Sequence, residues 1–83
     1  MNLKIGDILI CHKQRLKKRR GLIGQIIKIS EFVEDRACPV MAQAYLPSQG
    51  YHGGAYSYDY LDKHYRPVNS LELMHYGDII EKL

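Results

Sequence analysis

Two apolar runs, residues 5–11 and 22–29, flank a stretch that is almost pure positive charge. Lys13, Arg15, Lys17, Lys18, Arg19 and Arg20 place six cations within eight residues. The runs are rich in β-branched Ile and too short for ordinary helices, so they read as buried strands joined by a basic loop. Gly21 and Gly24 bracket the start of the second run. A glycine in a strand pattern marks a bulge, a sharp bend or the close approach of another backbone. That arrangement points to a small barrel with a cationic tip, which the downstream segments are expected to close.

The overall charge of +3 conceals a division. With the six loop cations set aside, six Lys and Arg remain against nine Asp and Glu, so the body carries −3. Charge runs commonly form solvated faces, but this one lacks the interleaved carboxylates of a solubilising surface. It suits contact with a polyanion. At 83 residues the chain is long enough for one domain, 1–83, and buries only a modest share of its surface, so a partner or oligomer is expected. No apolar run is long enough to cross a membrane, and no signal-peptide pattern follows Met1, so a soluble, cytoplasmic domain is expected.

Residues 1–12 read as a first strand, entered through a turn at Gly6 and Asp7, with apolar side chains on both faces. Residues 22–33 read as a long second strand with Ile23, Ile27, Ile29 and Val33 roughly in phase. Residues 38–46 alternate most cleanly, with Val40, Ala42, Ala44 and Leu46 on one face. Residues 47–57, rich in Gly and carrying Pro47, read as a long loop. Tyr56, Tyr58 and Tyr60 alternate with Ser57, Asp59 and Leu61 as in a fourth strand. After a turn at 62–64, Ser70 opens one capped helical turn, and Ile79 and Ile80 supply a closing strand.

The potential metal ligands Cys11, His12, Cys38, His52, His64 and His75 show none of the paired short spacings of structural zinc sites. No metal or other cofactor is expected. The two cysteines read as reduced and buried. No nucleophile, base and orienter share a recognisable motif, so the chain reads as non-catalytic. Seven tyrosines against one Phe and no Trp is a skewed choice, and six of the seven lie between Tyr45 and Tyr65. Tyr suits half-wet surfaces, where it stacks on bases or anchors protein interfaces; it serves equally well as a barrel wall with its hydroxyl at the rim. Tyr51, Tyr56 and Tyr58 are the residues placed to stack or to form an interface.

The stretch I-G-D-I-L-I, the basic loop and G-L-I-G-Q-I-I-K-I together resemble the KOW type of SH3-like barrel, found in transcription elongation factors and ribosomal proteins. Gly6 and Asp7 match its strand entry, and Gly21, Leu22, Ile23, Gly24, Gln25 and Ile26 match its turn into the next strand. The resemblance covers about the first third of the chain. It implies an all-β, SH3-like barrel of about five short strands, with the one helical turn near the C-terminus. It also implies a non-catalytic nucleic-acid-binding module, DNA or RNA, within the transcription or translation machinery. Lys13, Arg15, Lys17, Lys18, Arg19 and Arg20 would then meet phosphates. The alternative is a small protein-interaction module, or a phage-encoded effector, that docks on a larger protein through the basic loop and the tyrosines.

Overall fold

The computed structural model describes residues 2–13 and 23–83. The described chain runs β1 (Ile8–Cys11), β2 (Ile26–Phe32), β3 (Val40–Leu46), β4 (Gly50–Tyr56), α1 (Tyr58–His64), β5 (Tyr65–Pro67), α2 (Ser70–His75) and α3 (Gly77–Glu81). The strands form one antiparallel sheet in the order β4-β3-β2-β1-β5. It is a mostly β structure with short helical pieces. The sheet is not closed, because its two edges, β4 and β5, do not pair with each other.

Period-two alternation builds the core. Val40, Ala42, Ala44 and Leu46 of β3 are buried while Met41, Gln43 and Tyr45 are less so, as the sequence pattern requires. They meet Leu9 and Cys11 of β1, Ile27 and Ile29 of β2, Leu61 of α1 and Tyr65 of β5. Ile10 and Ile26 are paired and buried on the other face, so β1 is covered on both sides as its apolar faces predict. The β2–β3 register shifts between Ile29 and Glu31, leaving an extra residue at Ser30, whose hydroxyl donates to the Met41 carbonyl at 3.1 Å. A bulge of this kind turns later side chains to the opposite face. Phe32, rather than Val33, therefore packs on the core.

Three of the strand and loop expectations fail. Residues 47–57 are not a long loop: Leu46 pairs with Gly50 across a three-residue connection, Gly50 takes a left-handed φ of +69°, and β4 follows. Gly accepts that backbone without strain, which is what lets so short a connection reverse the chain. Tyr58 and Tyr60 do not continue the strand. Ser57 caps α1, its hydroxyl accepting from the Tyr60 amide at 3.1 Å, and Asp59 and Lys63 pair one turn apart at 3.2 Å. Ile79 and Ile80 lie in α3 instead of a closing strand, so they cannot close a barrel.

There are thus three short helices rather than one helical turn. Asn69, not Ser70, caps α2, and Glu72 completes a reciprocal capping box. Arg66 grips Glu72 with both guanidinium nitrogens at 2.7 and 2.8 Å. That grip, with the Asn69 amide, lowers the Glu72 pKa to about 2. Cys11 and Cys38 are both free; Cys11 is buried, but Cys38 is exposed just ahead of β3, contrary to expectation.

Candidate functional site

The basic segment begins where β1 ends. Arg15, Lys17, Lys18, Arg19 and Arg20 lie outside the described residues; Lys13, at the entrance, is exposed. Its backbone is held on both sides. The His64 carbonyl accepts from the amides of His12 at 2.9 Å and Lys13 at 3.3 Å. The Lys13 carbonyl accepts from His64 Nδ1 at 3.1 Å and from the Cys11 thiol at 3.6 Å. A carbonyl can only accept, so His64 Nδ1 carries the proton. His64 is buried at the C-terminal end of α1, which lets a helix at the far end of the sequence pin the loop's first residues. Burial pushes the Cys11 thiol pKa up, which keeps it protonated as a donor.

The exit is held by Gly24 and Gln25. The Gly24 amide donates to the Cys11 carbonyl at 2.9 Å, and the Cys11 amide donates to the Gln25 carbonyl at 2.9 Å. Gly24 has φ +91°, and a side chain there would meet nothing within 4 Å. The glycine is needed for its backbone conformation, not for close approach. Gln25, just ahead of β2, is buried, and its side chain reaches both β4 and β5. Its Oε1 accepts from the hydroxyls of Tyr65 and, at 3.3 Å, Tyr56. Its Nε2 donates to His52 Nε2 at 3.0 Å, leaving His52 Nδ1 to donate to the Gly50 carbonyl at 3.2 Å. A buried amide with both ends satisfied costs little and orients everything it touches.

The three tyrosines expected to act together are separated. Tyr51 is exposed on the outer face of β4, its ring centroid 4.8 Å from that of Tyr45. Tyr56 lies on the opposite face, folded back over Gly54, where a Cβ would sit 2.8 Å from its hydroxyl. Burial raises its pKa to about 12, with a neighbouring Tyr60 adding to the shift. Tyr56 is half-buried against the core, edge-on to Tyr65 with centroids 5.8 Å apart. Tyr58 is exposed on α1, nearly parallel to Phe32, and donates to Glu34 at 3.2 Å.

Gln25 and His64 are the residues the sequence reading missed. The signal for Gln25 was a single polar residue inside an apolar run; for His64 no local signal existed. Among the described residues, no three of His, Cys, Asp and Glu converge to hold a metal ion, and no helix is long and apolar enough to cross a membrane. No family model matches the chain, and no match was found among curated proteins or solved structures.

Proposed function

We propose that the chain is a non-catalytic nucleic-acid-binding module, an SH3-like barrel of the KOW type, that meets phosphates through its basic loop. The five-stranded antiparallel sheet supports the β framework of this reading, and closure into a barrel is proposed beyond the open sheet. The observation that carries the function is the placement of six cations between β1 and β2, on a connection whose two ends are tied to buried His64 and Gln25. A charge cluster held by its base loses less freedom on contact than one on a free tail. Lys13, Arg15, Lys17, Lys18, Arg19 and Arg20 supply the phosphate contacts, and Tyr51 and Tyr58 are the exposed aromatics.

The test is binding of DNA and RNA by the parent and by a variant with Lys17, Lys18, Arg19 and Arg20 changed to Ser. Phosphate contacts carry no base information, so the variant should lose affinity for all sequences alike while keeping its circular dichroism spectrum. Undiminished binding by the variant rejects the reading.

A second reading, a protein-interaction module, draws on α2. That helix buries no residue, and Leu71 and Met74 are 74% and 81% exposed beside Leu73. Exposed apolar clusters mark docking surfaces. A module of that kind would bind one protein tightly and be indifferent to nucleic acid, and Leu71→Ser with Met74→Ser would abolish that binding.

A further inference from the structure

The two edges of the sheet are built differently. β5 offers three residues and ends at Pro67, which has no amide hydrogen to donate, with Arg66 beside it. Short edges, proline and charge are the usual protections against pairing with another chain. β4 has none of them. Its seven residues, GYHGGAY, include no Lys, Arg, Asp, Glu or Pro, and among the described residues β3 is its one paired neighbour.

The order of side chains along β4 adds a second observation. Taken antiparallel to itself about its central residue, Gly53, the strand sets Tyr51 against Ala55, His52 against Gly54 and Tyr56 against Gly50. Tyr51 meets an alanine and Tyr56 a glycine, and all seven residues are used; Gly54, opposite His52, is already covered by the Tyr56 ring of its own chain. A centre one residue earlier, at His52, sets two histidines face to face and leaves Ala55 and Tyr56 unpaired. A centre one residue later, at Gly54, sets His52 against Tyr56. Facing side chains in an antiparallel pair lie about 4.5–5.5 Å apart, so this alternation of large and small decides whether two copies can close on each other.

We infer that β4 is the docking edge for a second copy of this chain, paired antiparallel about a two-fold axis at Gly53 to make one ten-stranded sheet. The interface is isologous, each copy offering the same strand. The Gly50 end of β4 lies beside Tyr45, which pairs with Ile26 at the loop end of β2. Antiparallel pairing therefore sends the two basic loops to opposite ends of the sheet. The dimer stands on the strand itself, independently of what the loops bind.

Gly53 tests this directly. It is exposed, has an ordinary backbone conformation, and an added Cβ would meet nothing within 4 Å. On the two-fold axis Gly53 faces its own copy, so Gly53→Glu and Gly53→Lys each set like charges together. Sedimentation of the full chain should show a dimer. Each variant should weaken it by about tenfold or more, and an equimolar mixture of the two should recover it as a mixed pair. Amide exchange of the parent gives a readout that needs no variant: protection in β4 should rise with protein concentration while that in β5 stays constant. A monomeric parent, single variants that dimerise as the parent does, or a mixture that fails to recover would each overturn the pairing.

Discussion

Two of the sheet's three hairpins are held by opposite means. The β3–β4 hairpin is closed by local chemistry, a three-residue connection followed by left-handed Gly50. The β1–β2 hairpin carries a connection running from His12 to Gln25, and its ends are fixed by residues distant in sequence: His64 on the entrance, and the tyrosines bound to Gln25 on the exit. A tight turn sets register and presents little. A long connection needs tertiary anchors, and once it has them it can carry charge that contributes nothing to the core. The difference separates a locally closed turn from the connection that the proposed function assigns to phosphate contacts.

The comparison predicts a ranking. Gln25→Met keeps the volume but removes the acceptor for two tyrosine hydroxyls, and should cost about 2–6 kcal/mol in urea unfolding at roughly 1–3 kcal/mol per stranded group. Gly24→Val forces a β-branched residue to φ +91° and should cost about 1–3 kcal/mol. Gly50→Ala, at the locally closed turn, should cost about 1–2 kcal/mol. If Gly50→Ala proved the most damaging of the three, the tertiary anchoring of the basic hairpin would be wrong.

Alkaline titration sharpens the same network with a smaller effect. The Tyr56 phenol has its pKa raised from 10.0 to about 12, so the fold favours its neutral form. Its contribution is complete below the unfolded value near 10 and is lost as pH rises towards 12. Absorbance at the tyrosinate band should show a step well above pH 10, and Tyr56→Phe should remove the part of it that falls near 12, leaving that of Tyr65, which burial also raises.

The first three strands were legible because Ile8 to Cys11, Ile26 to Ile29 and Val40 to Leu46 follow apolar patterns that burial alone enforces. β4 was not, because Gly50, Gly53 and Gly54 read as breakers when taken singly. Gly54 is instead the space into which the Tyr56 ring folds. The Tyr56, Tyr58, Tyr60 alternation imitated a strand over too few residues, and the Ser57 cap decided in favour of helix. The position of the basic loop could be read from charge alone. Its anchoring could not, since His64 lies 51 residues from Lys13 and meets it only in the folded chain.

The central claim, that the anchored loop meets phosphates, is tested most directly by the salt dependence of nucleic-acid binding. Each neutralised phosphate contributes roughly 0.7–0.9 to the slope of log affinity against log salt, so six contacts predict a slope of roughly −4 to −5. Replacing Lys17, Lys18, Arg19 and Arg20 with Ser leaves Lys13 and Arg15 and should bring it to roughly −1.5. A parent that binds no DNA or RNA at low salt, or a slope unmoved by the four substitutions, would contradict the account.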